Sequence, residues 1–383
     1  HHAMKKLIAS ASLLGLGVAG IQAAYAPGLS SVETSKPWSI GASLRGFYDD
    51  NYTTSTKGNE RDTVGVSISP SIALKLPLEQ TTWGFRYTYS ATWFQDREDL
   101  NTSNSSWDQS HEVEGLFSHF FSERFSLDIS DSFVVAQEPE LIAGSGINTF
   151  PYRTEGNNVR NHAEIAFNGA LTSSLSFVLG YQNYYYNYEN EGFVYNPVTG
   201  AINASLSGLL DRMEHEGLVN LRWQTLPKTV LLVGYNYREV NYSSDEIVAN
   251  AGIFPPFFND FRTADTRDSR SHIIYGGIDQ NFSKDLLASL RVGAQRTDYF
   301  NDPNADEASN PWISANLSYT YLPGSSLNVG LTHMRNQTDV VSPNAATGAI
   351  TSDQESTVLY GAIRHRLTSD LVGLFDLRPP QPR

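Results

Sequence analysis

Among 383 residues the chain has no cysteine, which excludes a disulfide framework, a thiolate metal centre and a thiol nucleophile. Long apolar runs are equally scarce. Mean hydropathy is −0.33, and the one greasy stretch, near Leu7–Gly20, falls short of the ~20 residues that a spanning helix needs. A helical membrane bundle is therefore excluded. Basic residues are in deficit too: 27 Lys+Arg against 41 Asp+Glu give a formal charge of −14. A nucleic-acid partner, whose phosphates must be neutralised, is not expected. Phosphate-cradling and dinucleotide glycine fingerprints are missing as well, and no cofactor is expected.

The N-terminus reads as an address. Met4 is followed by Lys5 and Lys6, the apolar run, and the small-residue end Ala24-Tyr25-Ala26. That is the layout of a bacterial secretory signal. Pro27 hinders cleavage after Ala26, which leaves Ile21-Gln22-Ala23 as a second site. We expect a signal peptide at 4–26, a short leader at 27–36, a β-barrel at 37–377 and a non-native-looking tail at 378–383. Removing Lys5 and Lys6 takes the charge to −16.

What the chain has in abundance is alternation. In "TTWGFRYTYSATWF" (Thr81–Phe94), Trp83, Phe85, Tyr87, Tyr89, Ala91 and Trp93 share one parity, and Thr82, Gly84, Arg86, Thr88, Ser90 and Thr92 the other. Successive strand side chains point to opposite faces, so this is a ribbon with one apolar and one wet side. Val64–Leu74 and Ile313–Tyr321 repeat the pattern. A soluble sandwich would pack its apolar faces together as an aliphatic core. Here the apolar face is rich in Tyr, Trp and Phe and the other in Ser, Thr, Asn, Gly and Arg, which suits a barrel with lipid outside and water inside.

A polar pivot punctuates the ribbons: "FSERF" at Phe121–Phe125, "LTSSL" at Leu171–Leu175, "FSKDL" at Phe282–Leu286 and "LTSDL" at Leu367–Leu371. Looser copies follow Leu78, Leu226 and Leu322. The spacing predicts strands near 37–50, 61–77, 81–96, 109–121, 125–137, 157–171, 174–189, 210–224, 229–243, 267–282, 285–300, 311–322, 326–339 and 355–367. Pivots follow the even-numbered strands; the other connections are longer and more polar, which is the outer-membrane layout of short periplasmic turns and long extracellular loops. We expect an all-β, antiparallel up-and-down transmembrane barrel of about fourteen strands, in the outer membrane of a Gram-negative bacterium. Pro70 should interrupt a ladder or mark a bulge, because proline lacks the amide donor.

These corners and Tyr-rich upward strands resemble the β-barrel porin 2 family, over roughly Pro37 to Phe375. The resemblance implies an outer-membrane barrel, a presumed pore in some members and a suspected polysaccharide exporter in others. Such proteins usually finish on a strand with a terminal aromatic that the barrel-assembly machinery grips. This chain instead begins a fifteenth strand at Leu371–Leu377 and ends "RPPQPR". The expectation is a truncated or frameshifted end and a sixteen-stranded parent, or alternatively closure of strand fourteen on strand one.

By parity the inward charges are Arg45, Arg86, Glu112, Glu114, Asp128, Arg160, Glu164, Glu214, Glu216, Arg238, Arg291, Arg364 and Arg366, with Lys75 and Arg222 beside them. They are candidate pore-lining residues. Either an acidic arc (strands four to eight) faces a mostly basic arc and sets a transverse field, or the charges pair into a ladder. "SHEVEG" and "MEHEG" set His beside carboxylates, but adjacent strand residues face opposite ways, so no metal site is expected. "DPNADE" (Asp302–Glu307) begins like a calcium loop but has Glu307 at the sixth position, where glycine belongs, and Ile313 at the twelfth. His162 has Glu164 nearby but no distinctive serine, so no enzyme is expected. The expected partners are outer-membrane lipid and lipopolysaccharide, the barrel-assembly machinery, and small hydrophilic solutes or polysaccharide. The expected function is passive diffusion through a polar lumen. Alternatives are exopolysaccharide export, for which Tyr184, Tyr360 and Phe94 would be inward platforms, or a non-conducting structural or adhesive barrel.

Overall fold

The computed structural model describes residues 37–50, 60–95, 106–137, 139–142, 152–196, 202–243, 245–252, 260–305, 307–338, 341–342, 349–368 and 372–377. The expected signal, leader and tail lie outside the described residues.

The elements, in order, are β1 (Trp38–Asp49), β2 (Thr63–Pro77), β3 (Thr81–Phe94), β4 (Trp107–Phe120), β5 (Phe125–Ala136), β6 (Pro139–Ile142) and β7 (Tyr152–Glu155). Next come β8 (Asn158–Ala170), β9 (Leu175–Tyr188), β10 (Val194–Tyr195), β11 (Ile202–Asn203), the short helix α1 (Leu206–Leu210), β12 (Arg212–Leu226) and β13 (Thr229–Tyr242). β14 (Ile247–Asn250), β15 (Phe261–Thr263) and a 3₁₀ turn (Ala264–Arg267) lead to β16 (Ser269–Asn281). β17 (Leu286–Asp298), β18 (Ala308–Leu322), β19 (Ser325–Gln337), β20 (Asp353–Arg366) and β21 (Val372–Leu377) complete the described chain. Fifteen of the strands form one sheet in chain order, and the remaining six pair as three hairpins within loops.

Every ladder of the large sheet is antiparallel between consecutive members. The fifteenth strand pairs with β20 over Gly361–Arg366, which corrects the alternative closure of the fourteenth strand on the first. Among the described residues no pairing joins β1 to β21.

Registry keeps the two faces apart across the whole sheet. On one, Leu74 stands against Trp38 and Phe85, Trp83 against Phe117, Leu179 against Val219, and Leu331 against Leu359. Nothing among the described residues covers this face: Trp83 is 52% exposed, and Leu44, Val233, Ile274 and Leu359 are exposed too. Pro70 sits on it. The β2–β3 ladder skips from Ile68 to Ser71 without changing register, so the proline costs ladder pairing and produces no slip.

The corners explain the repeated motif. In "LTSSL" the Thr172 hydroxyl accepts the amides of Ser174 and Leu175, at 3.2 and 2.9 Å. Ser283 does the same for Asp285 and Leu286, and Ser122 for Arg124. The first residue closes the corner through its amide: Phe121 to Phe125, Leu171 to Leu175 and Phe282 to Leu286. A Ser or Thr second in the motif thus supplies an acceptor that the turn's backbone lacks. Between Leu322 and Ser325 the same job falls to Pro323-Gly324, with Gly324 at φ +84, a conformation open to a residue without Cβ.

Candidate functional site: the polar face and its cap

The opposite face carries most of the polar and charged side chains and lies on the inside of the curve. Contacts there skip a strand. Tyr275 on β16 donates to Asn220 on β12 at 2.7 Å, Arg222 on β12 meets Asp279 on β16 at 2.8 Å, and Asn316 on β18 donates to Tyr360 on β20 at 3.0 Å. Strands two apart in a flat sheet are separated by about 9.5 Å. Gly234 of β13 makes room for the first of these spans, since a Cβ there would meet the Tyr275 ring at 2.3 Å.

By register all the candidate lining residues fall on this face. Arg45 is opposite Ser67, Glu112 opposite Thr88, Glu164 opposite Ser130 and Gln182, and Arg364 opposite Ser326, with Arg366 two residues beyond. Several are tied down. Arg86 Nε lies 2.7 Å from Glu114, and Asp128 accepts from Ser118 at 2.6 Å and Asn168 at 3.0 Å. Glu214 is held between Arg212 and Arg238, and Glu216 accepts from Asn236 at 3.2 Å. Arg291 and Arg222 share Asp279. Arg160 is opposite Tyr186, and His162 stacks on Tyr184 at 4.2 Å. Two basic members, Arg86 and Arg238, are thus ion-paired to acidic members on adjacent strands. At these positions the charges pair between neighbouring strands, as in the second of the two arrangements expected.

Sequence reasoning missed two features. Leu218, Leu232, Ile273, Tyr275, Trp312 and Met334 form a buried apolar cluster on the polar parity. Its signal was present, because Leu218 interrupts the polar series between Glu216 and Asn220. The second feature is a folded cap. Ile202, Leu206 and Leu209 before β12, Val248 and Ala264 before β16, and Val341 and Ile350 before β20 pack together on Tyr188, Val240 and Tyr242. Those last three lie on the polar parity at the loop ends of β9 and β13, so the loops fold inward over that face.

Arg267 pins the cap. Only 1% exposed, it donates to the carbonyls of Leu209, at 3.0 Å, and Thr338, and its guanidinium lies 4.2 Å over the Tyr242 ring. Glu246 receives the Ser205 hydroxyl, and Ser205 caps α1 by accepting the Gly208 amide at 2.9 Å. Two aspartates tie strand ends to the cap, Asp211 and Asp268. Burial pushes each carboxyl up to about 6, against the hydrogen bonds that favour its charged form.

The histidines beside carboxylates, His111 and His215, face away from them, as strand geometry requires. His111, His215 and His272 lie on the apolar face, each with a tyrosine hydroxyl on its Nδ1: Tyr87 at 2.8 Å, and Tyr181 and Tyr235 at 2.7 Å. Each tyrosine stands six residues into its strand from the turn, so the pairs are level and form an aromatic girdle across the apolar face, with Val66, Trp93 and Trp107 beyond them on β2–β4. Such girdles mark a membrane interface. Asp302 of the calcium-like stretch caps the Asn304 amide at 2.9 Å instead, and Asp306 lies outside the described residues. Among the described residues no three acidic or histidine side chains converge as a metal site.

A one-layer antiparallel wall with an uncovered apolar face, aromatic girdle and polar concave face is the wall of an outer-membrane β-barrel, and the apolar band places the protein in the outer membrane. No protein-family model matches the chain, and no curated protein sequence does either. It is similar to solved structures at low identity. A ferric enterobactin receptor variant from Pseudomonas aeruginosa is 13% identical over 87% of this chain and 52% of its own, with a TM-score of 0.46. The copper transporter OprC is 10% identical over 88% and 57%, at 0.44. The TodX monoaromatic hydrocarbon channel is 11% identical over 85% and 86%, at 0.37. The chain thus spans about half the length of the receptor.

Proposed function

We propose that the protein is a passive outer-membrane pore for small hydrophilic solutes. The observation that carries this reading is the concave face of β1–β5, where Ser43, Arg45, Ser67, Ser69, Ser71, Thr88, Ser90 and Glu112 are exposed or half-buried, while Arg86 and Ser126 towards the turns and Thr63 and Asp108 towards the loops are buried. A water-filled path needs hydrogen-bonding walls, and the middle of this sector offers them. The turn motif supports kinship with the β-barrel porin 2 family. Polysaccharide export fits less well, because two of its three expected platforms are engaged: Phe94 is buried against Phe47 at 5.6 Å, and Tyr184 lies flat on His162. Only Tyr360, 36% exposed, presents a ring. Purified full-length protein in a planar bilayer should give ohmic single-channel steps in potassium chloride. A folded, inserted protein that passes no current would defeat the pore.

A further inference from the structure

Each girdle pair occupies one fixed place in its hairpin. Tyr87, Tyr181 and Tyr235 stand six residues into β3, β9 and β13. Their histidines lie on the next descending strand, two residues loopward of the residue directly opposite the tyrosine. In the hairpin of β5 and β8 the same two places hold Asp131 and Asn161. Asp131 is exposed on the apolar face, between Ile129 and Phe133 along its strand. Its neighbours across the two ladders are Gly115 and Ala163, too small to shield it. The girdle has a gap, and a carboxylate stands in it.

A hollow of about 380 Å³ opens beside that carboxylate toward the turns, lined by Leu74, Trp83, Phe85, Phe117 and Ile129. A Cβ on Gly115 would meet nothing within 4 Å, so this glycine leaves the hollow open. Asn161 spends both N–H groups, on the Asp131 carboxylate at 2.8 Å and the Ser132 carbonyl at 3.2 Å. The pair therefore offers only acceptors outward, the second carboxylate oxygen and the Asn161 carbonyl oxygen.

Hydrocarbon would leave this carboxylate without a partner, and ionisable groups in membrane segments are costly unless partnered. A second copy seated on the same face would set acceptors against acceptors. An anionic head would meet a like charge. We propose that the gap binds a membrane lipid with a primary ammonium head, whose N–H groups reach Asp131 and Asn161 while an acyl chain lies in the hollow. The charge opposes the carboxylate, the N–H groups match the acceptors, and the chain covers the apolar lining. The site lies on the outer face and is independent of the pore.

The test is fluorescence quenching of Trp83, which lines the hollow. The full chain is folded into phosphatidylcholine vesicles holding a minor share of lipid with brominated acyl chains. That lipid is phosphatidylethanolamine, phosphatidylcholine, whose trimethylammonium has no N–H, or phosphatidylglycerol, which is anionic. The Trp83→Phe variant supplies the signal of the other tryptophans for subtraction. Brominated phosphatidylethanolamine should be enriched about fivefold at Trp83 over the other two, the equivalent of one hydrogen bond. Asp131→Asn should abolish that enrichment. Should it fail to insert, Gly115→Val, which fills the hollow, should abolish it instead. Equal quenching by all three lipids, or a preference that survives these variants, overturns the inference. So does a dimer in the vesicles that Asp131→Asn separates, because a second copy then fills the gap.

Discussion

Asp211 accepts the backbone amide of Tyr188 at 2.7 Å, and the same relationship recurs one hairpin later, where Asp268 accepts the amide of Tyr242 at 2.6 Å. In each case the aspartate immediately precedes a descending strand and the tyrosine ends the ascending strand before it. The device stitches loop to wall, and it does so with carboxyls that burial has made reluctant to ionise.

A pH dependence follows. Both carboxyls titrate at about 6 in the folded protein, above their ordinary value of 3.8. Between those values the folded state holds protons that the unfolded state has lost. Stability is therefore greatest at the acid end, falls as pH rises through about 6, and levels off above 7. Thermal melts in detergent should show a higher midpoint at pH 5 than at pH 7.5. Replacing both aspartates by Asn should flatten that difference; an equally steep dependence in the double variant would assign it elsewhere.

Arg267→Leu should unfasten the cap without unfolding the wall. It leaves the buried Leu209 and Thr338 carbonyls short of donors, at about 1–3 kcal/mol each. Residues near α1 should become susceptible to protease, and conductance should rise, while the gel mobility shift of the folded barrel persists.

The corner hydroxyls are testable singly. Thr172→Ala removes two turn hydrogen bonds and should cost about 0.5–1.5 kcal/mol in denaturant titrations of folding into vesicles. Thr172→Ser keeps the acceptor and should cost far less. A similar loss in both variants would place the effect in the methyl group.

The lipid assignment can be probed with one charge moved along the apolar face. Leu290→Arg, within the band on β17, should cost about 2–4 kcal/mol of folding energy in vesicles, whereas Tyr235→Arg, at the girdle, should cost about 0–1 kcal/mol. Equal costs would argue against a depth-dependent lipid contact.

Much of this was legible in the sequence because a wall one strand thick records its geometry directly in parity. Trp83 to Trp93 named the lipid side and Ser67 to Ser71 the wet side before any coordinates. The short corners were equally plain, since Thr172 and Ser283 hold local backbone bonds that need no distant partner. The cap was not legible. Leu206, Val248 and Val341 are far apart in sequence and belong to three separate connections with no shared period. Nor was the pairing of Glu214 with Arg238 forced by parity, which says that two side chains share a face but not that they touch.

The agreement of sheet order with chain order has a consequence for how the protein is made. Among the described residues each strand of the large sheet pairs with its neighbours in chain order, so loop-closure entropy up to barrel closure is paid in small instalments, hairpin by hairpin. A nascent wall can therefore grow at one margin, each new ribbon docking on the one just laid. The margin alone then stays open to mispairing, a hazard that bare edges carry in any β protein.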